Sequence, residues 1–369
     1  MKALKVGFVG SGFIAEFHAK ALHQIRGFEL SGLVARKGSD KLAQFCDEKG
    51  LGKPKIYSSV TEMCDHVDVV AIYSPNYTRV TVMEEIVAAK RTGAKVSCVI
   101  VDKPLGRNLK EATRLCALAE EGKLLTSYFE NQIHMKSIAA QRAQLAPMER
   151  ALGPLHLTRS AEEHAGPHMP WFWDPTQQGG GVLSDMGCHS IAVGWYLLTP
   201  QGKPLDFLQP ESVTCDVALL KWGLPKWREK LKQKMGVDYA KTPAEDFATG
   251  TITYRNPETN QRVKAQFTDS WMFDKQGLRL FMDGMGPGYA FEVNTLLSPL
   301  SVFISDDAAS GVANSELALE KSTSSRGLLS VQPNEADLYG YVDENQDAAD
   351  RFARGGDGLL NFRYGLEIT

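Results

Sequence analysis

The spacing of hydrophobic and polar positions changes character about a third of the way along the chain. Before residue 130, short continuous apolar runs alternate with stretches of helical period. The runs are Lys5–Val9, Phe28–Ala35, Lys55–Tyr57, Val67–Asn76, Val96–Val101 and Leu124–Phe129. Helical stretches follow Gly12 and cover residues 39–49, 61–64, 80–92 and 109–121. Runs that are apolar at consecutive positions fit strands buried on both faces, so this part predicts a doubly wound parallel sheet. Beyond it the rhythm is different. A helix is expected over Asn131–Met148 and a strand over Leu155–Glu163. The alternating runs Val213–Trp222, Asp246–Arg255, Gln261–Trp271 and Gly277–Gly284 then predict a mostly antiparallel, open-faced sheet. The expected class is α/β, with a first domain over 1–129 and an α+β domain over 130–369. Within the second, the lysine-rich stretch inside 222–239 predicts a solvated or subunit-contacting helical insert. Residues 305–335 predict an exposed loop, and no terminal helix is legible before Thr369.

Composition narrows the possible roles. With 369 residues, 43% of them hydrophobic, the chain can bury more than one core. A net charge of −3 with well-mixed signs offers no basic face for nucleic acid or an anionic membrane. The six cysteines are scattered, without paired metal-type spacing, and read as reduced residues of a cytoplasmic protein. The lysines and apolar residues at the start imitate a signal peptide. Glycines interrupt that run, and no stretch of about 18 apolar residues follows that could span a membrane.

The first strand ends in Gly10-Ser-Gly12-Phe13-Ile14-Ala15 and a helix follows at once. This is the strand–turn–helix context of a dinucleotide-binding turn. Gly10 permits the tight turn, Gly12 admits a pyrophosphate to the backbone, and Ala15 keeps the helix near the strand. At the end of the second strand, where an acidic residue would hold a ribose 2′-hydroxyl, stand Ala35 and Arg36. Arg36 could pair with a 2′-phosphate, which leans the reading from NAD toward NADP without deciding it. Two more strands end in Ser74-Pro75-Asn76 and in Asp102-Lys103-Pro104, at the carboxyl edge where open parallel sheets bind ligands.

In the second domain, three glycines (179–181) lead into an apolar helical stretch with Asp185 and His189 four residues apart. On an α-helix both project from one face. Three successive glycines imply that something approaches the backbone closely. Just before them lie His164, His168, Trp171 and Trp173, either an aromatic wall for a sugar or a tryptophan-anchored core loop. Glycine and proline between His164 and His168 argue against a helical zinc pair, and no metal site is expected.

Taken in order and spacing, the Gly10–Ala15 turn, Ser74-Pro75-Asn76, Asp102-Lys103-Pro104, Trp173-Asp174-Pro175 and the glycine triplet with Asp185 and His189 resemble the Gfo/Idh/MocA family of nicotinamide-dependent sugar and cyclitol oxidoreductases. Asp102 for the family's usual glutamate and Arg79 for a common histidine depart from its pattern. The resemblance implies an N-terminal Rossmann domain and a C-terminal domain serving substrate binding and oligomer contact. It implies cofactor contacts from Gly10, Gly12, Phe13, Ile14, Ala15, Arg36, Ser74, Pro75, Asn76 and Lys103. Substrate contacts would come from Lys103, Asn131, His164, His168, Trp173, Asp185 and His189. Catalysis would fall to His189 as general acid/base, Lys103 on the reacting oxygen and Asp185 as orienting carboxylate. A carbohydrate or cyclitol substrate, NAD or NADP, and a homo-dimer or homo-tetramer follow. The alternatives are a glycoside hydrolase cycling through transient oxidation, and a cofactor-binding regulator without turnover.

Overall fold

The computed structural model describes residues 3–274, 277–296, 300–304, 327–331 and 334–369. The chain forms two compact units, one of Met1–Met135 with Tyr339–Thr369 and one of Lys136–Leu338.

The first unit carries β1 (Leu4–Val9), α1 (Phe13–His23), β2 (Phe28–Val34), α2 (Ser39–Glu48), β3 (Lys55–Ile56), α3 (Val60–Cys64), β4 (Val69–Ile72), α4 (Arg79–Arg91), β5 (Cys98–Asp102), α5 (Leu109–Gly122) and β6 (Leu125–Phe129). Its six strands are parallel, in the order β3-β2-β1-β4-β5-β6. The apolar runs explain this arrangement. All four residues of β4 and the first four of β5 are buried, as helices on both faces of a parallel sheet require. The direction in which the sheet grows reverses between β1 and β4, which opens a crevice at the carboxyl ends of those two strands.

The expected boundary needs correction at the far end. Residues 339–369 belong to the first unit, and the missing terminal helices are present as Tyr341–Ala353 and Phe362–Ile368. Ala348, Ala349 and Phe352 join the core that holds Val6, Phe8, Leu22 and Phe28. The link between these helices covers the edge of β6. Gly358 N donates to Thr126 O (3.0 Å), Tyr128 N to Leu360 O (2.9 Å), and Thr126 N to the Asp357 carboxylate (2.6 Å). An edge strand that would otherwise present unpaired backbone groups is thereby satisfied.

The second unit contains α6 (Lys136–Leu152), β7 (Leu157–Glu163), α7 (Pro175–Gln178), α8 (Cys188–Leu198), β8 (Gln209–Ala218), α9 (Pro225–Met235), β9 (Phe247–Arg255), β10 (Arg262–Ser270), β11 (Arg279–Gly286) and β12 (Tyr289–Asn294). Its sheet has the order β12-β11-β7-β10-β9-β8, parallel between β7 and β10 and antiparallel elsewhere. Helix α8 lies on β7 and β10. Gly194 allows that contact, because a Cβ there would stand 3.1 Å from the Ala265 side chain. The lysine-rich insert is α9, and it is not simply solvated: Leu231 is buried in a cluster with Trp173, Trp222, Tyr239 and Trp271. Part of the loop expected over 305–335 is ordered, since Gly327–Val331 pairs with Leu300–Ile304 and Glu335–Leu338 is helical. Residues 305–326 lie outside the described residues. Among the described residues no helix is long and apolar enough to cross a membrane.

Candidate active site

In the first unit the glycine turn sits at the switch point between β1 and β4. Gly10 has φ +115°, and a Cβ on it would lie 2.7 Å from the Ser74 nitrogen, so the turn is pressed against the end of β4. Gly12 is the opposite case: a Cβ there would meet nothing within 4 Å. Gly12 is the N-cap of α1, so that open space lies at the positive end of the helix dipole. This is a cradle of the kind a pyrophosphate fills. Ala15 is wholly buried, Ile14 packs against the core, and Phe13 is exposed. The Ser11 hydroxyl donates to Lys37 O at 2.7 Å, tying the turn to the β2–α2 loop where Arg36 is exposed.

Ser74 and Pro75 are half-buried, and Asn76 is buried at the start of a 3₁₀ turn. The Ser74 and Thr78 hydroxyls lie 2.6 Å apart, and the Thr78 hydroxyl also reaches Pro75 O at 2.7 Å. Directly after that turn comes Arg79, buried, whose Nη2 donates to Lys103 O at 3.1 Å. The arginine that departs from the family pattern therefore braces the Lys103–Pro104 turn, whose peptide bond is cis. Asn131 donates its amide to Tyr339 O at 2.8 Å, which ties it to the returning C-terminal segment.

Sequence reasoning missed His18. This histidine is buried beneath the β4 end, with its ring stacked on Tyr73 (centroids 4.3 Å apart, 6° between planes). Asn345 Nδ2 contacts its Nδ1 at 2.9 Å, and Glu344 lies 4.0 Å from its Nε2. Burial lowers the His18 pKa to about 3, so the ring is neutral. Burial, with the charges of Asp102 and Glu130, pushes the Glu344 carboxyl well above the usual range. A helical period with a polar residue on the buried face was the available signal, but its polar contact Asn345 lies 327 residues away.

In the second unit the glycine triplet receives the protein itself. Gly179 closes α7 with φ +116°. A Cβ on Gly181 would stand 2.1 Å from Glu245 O, while the Glu245 carboxylate accepts N–H groups from Gly181 (2.9 Å) and Leu183 (3.2 Å). The expected continuous α-helix also needs correction: Leu183–Gly187 is a π turn, and α8 begins only at Cys188. Such widened turns recur at functional sites. Asp185 sits in it, buried, and accepts from Trp271 Nε1 at 3.2 Å.

His189 is buried on α8. Its Nε2 lies 3.8 Å from a Glu162 carboxylate oxygen on β7, a second residue that the sequence did not reveal. Asp269, directly beside Glu162 on β10, accepts from Ser190 Oγ (2.7 Å) and Glu162 N (3.1 Å). Burial and the neighbouring Glu162 hold its carboxyl well above the usual carboxylate range, against the Ser190 hydrogen bond.

The aromatic loop resolves into different roles. Trp173 is core: only 1% exposed, it packs at 4.8 Å on Trp222, 5.2 Å on Trp271 and 5.4 Å on Tyr239, and donates to Pro167 O at 3.1 Å. It has no free face for a sugar in this conformation. Asp174 caps α7, accepting from Thr176 N at 2.9 Å. His164 is buried, with Nδ1 accepting from Gly166 N at 2.9 Å. His168 is exposed, and Trp171 is half-buried and stacked on Phe172 at 3.9 Å.

Comparison with known proteins identifies the family and the fold. Residues 4–129 match the model of the oxidoreductase family with an NAD-binding Rossmann fold, and residues 141–285 match the GFO/IDH/MocA C-terminal domain. An uncharacterised protein of Saccharomyces cerevisiae is 23% identical over 52% of this chain, which spans 55% of that relative's length. The D-glucoside 3-dehydrogenase of Escherichia coli is 26% identical over 75% of this chain and 77% of its own length. Among solved structures, GenD2 from gentamicin A biosynthesis, in complex with NAD, shares the fold with a TM-score of 0.74 and 20% identity, covering 100% of this chain and 91% of its own. Levoglucosan dehydrogenase, in complex with NADH, does so at 0.69 and 18%, covering 100% and 94%. The chain belongs to the GFO/IDH/MocA oxidoreductase family, with its NAD-binding Rossmann fold in the first unit.

Proposed function

We propose that this protein transfers a hydride between a secondary alcohol of a sugar, sugar derivative or cyclitol and NAD or NADP. The observation that carries the reading is the open cradle at Gly12, set at the switch point of a 3-2-1-4-5-6 parallel sheet. The relatives named for glucoside and levoglucosan oxidation support a carbohydrate substrate. A bound nicotinamide accepts the hydride in oxidation and returns it in reduction. In this reading Gly10, Gly12–Ala15 and Ser74–Asn76 hold the dinucleotide, and Arg36 favours a 2′-phosphate. Lys103, braced by Arg79, hydrogen-bonds the reacting oxygen. His189 takes the hydroxyl proton, and Asp185 orients a neighbouring hydroxyl.

The test is purified protein supplied with NAD⁺ or NADP⁺ and a panel of polyols, sugars and aryl glycosides, following reduced cofactor and aglycone together. Stoichiometric reduction supports the dehydrogenase. Aglycone release without net reduction, yet dependent on cofactor, replaces it with the redox-cycling glycoside hydrolase. No turnover of any substrate, with cofactor bound, leaves the non-catalytic regulator. Exposed Val213 and Val217 on β8 support a homo-oligomer formed through the second unit's sheet, read by light scattering. Cytoplasmic residence is part of the same reading.

A further inference from the structure

Glu162 and Asp269 are side-by-side register partners on two parallel strands, both nearly or wholly buried at 1% and 0% exposure. Burial, with the charge of the neighbouring Glu162, holds the Asp269 carboxyl well above the usual carboxylate range. Asp269 is the deeper group, and its Oδ1 accepts from the Ser190 hydroxyl and the Glu162 backbone. The next residue after His189 is thus anchored to one acid, while the His189 ring faces the other at 3.8 Å. That distance exceeds a hydrogen bond but lies within the range where opposite charges couple strongly in a buried site.

We propose that Glu162, the register partner of Asp269, is a positioning residue whose carboxylate holds the His189 ring and stabilises the imidazolium formed when His189 takes a hydroxyl proton. The proposal rests on the proton-transfer role given to His189 above. In the oxidation the alcohol O–H proton passes to the imidazole as the C–H hydride leaves to the nicotinamide and the C=O bond forms. Asp269 keeps its proton throughout. Other titratable groups of this unit make hydrogen bonds or ion pairs of their own. Asp185 accepts from Trp271, Cys188 Sγ donates to Asp185 O (3.4 Å), Glu163 pairs with Arg279, and Glu245 accepts from the glycine turn.

The experiment is a histidine side-chain NMR titration of the full chain, without substrate, with His189→Gln identifying the signal. Glu162→Gln should lower the His189 midpoint by about one unit or more, since a nearby anion favours the cation. Asp269→Asn, which replaces a neutral group by a neutral group, should leave it in place. Glu162→Asp keeps the charge and should keep most of the shift, which guards against a folding defect in the glutamine variant. With an active substrate, Glu162→Gln should cut kcat ~10-fold with KM little changed, and move the acidic limb of kcat/KM to lower pH. An unmoved midpoint in Glu162→Gln overturns the proposal, as does an equal shift in Asp269→Asn. A shifted midpoint in a protein that oxidises no alcohol supports the coupling and overturns only the role of His189.

Discussion

Arg79 Nη2 donates to the carbonyl oxygen of Lys103 at 3.1 Å, so a buried guanidinium at the start of α4 fixes the turn after β5. The backbone of the lysine is set by a neighbouring strand's loop as well as by its own. Replacing Arg79 by Lys shortens the reach and removes the planar fork. We expect kcat to fall ~10- to 100-fold, the scale on which small misplacements of a catalytic group act. Steady-state kinetics beside a melting curve check it; an unchanged kcat in a folded variant would detach Arg79 from the lysine.

The two glycines of the first turn should fail differently. Gly10→Ala meets both a positive φ and backbone atoms at 2.7 Å, so it should lower stability by ~1–3 kcal/mol. Gly12→Ala has room and should melt like the parent. Its methyl group occupies the cradle, so cofactor affinity should drop at least ~10-fold, or ~1.4 kcal/mol. Calorimetric titration separates the two, and a Gly12→Ala protein that binds cofactor normally would remove the cradle from the site.

Arg36 is exposed beside the glycine turn, with no acidic residue at the end of β2. A charge-assisted hydrogen bond to phosphate contributes ~1.5–3 kcal/mol. Arg36→Ala should therefore lower kcat/KM for NADP⁺ roughly 10- to 100-fold, by the usual conversion, and barely touch that for NAD⁺. Equal effects on both cofactors would show that Arg36 does not read the 2′-phosphate.

Trp173 anchors an aromatic core, so Trp173→Ala should cost ~3–5 kcal/mol, as large core truncations do. Trp171→Ala, at a half-buried site, should cost far less. Chemical denaturation measures both. A Trp173→Ala protein with parental stability but a raised KM would restore Trp173 to the substrate site.

The buried pair His18 and Glu344 gives stability two opposed pH dependences. The His18 pKa is about 3 folded against 6.5 for a free ring, so between those values the unfolded chain binds the extra proton. Its contribution is complete above about pH 6.5 and is lost as pH falls toward 3. Glu344 is raised, so its stabilisation is present below the ordinary carboxylate range and is lost as pH rises. Glu344→Gln, neutral at every pH, should flatten the alkaline decline, and His18→Asn the acid one. Melting temperatures across pH 4–9 test this; unchanged slopes in both variants would mean other groups dominate.

What the sequence settled by itself was local. A run such as Val69–Ile72 must be buried on both faces, and Gly10 must take a conformation that other residues avoid; neither fact needs a distant partner. The order of such runs with helices between them specifies a parallel sheet, and hence the crevice at its switch point. What only the tertiary structure decided was pairing across the chain. Glu162 meets Asp269 over a separation of 107 residues, and His18 meets Asn345 over 327, with no local pattern to announce either contact. The glycine triplet was legible as a close approach, yet only the fold shows that the approaching group is Glu245. The return of residues 339–369 to the first unit depends on an uncovered edge at β6 and an open core face on α1, neither of which exists until the rest of that unit has folded.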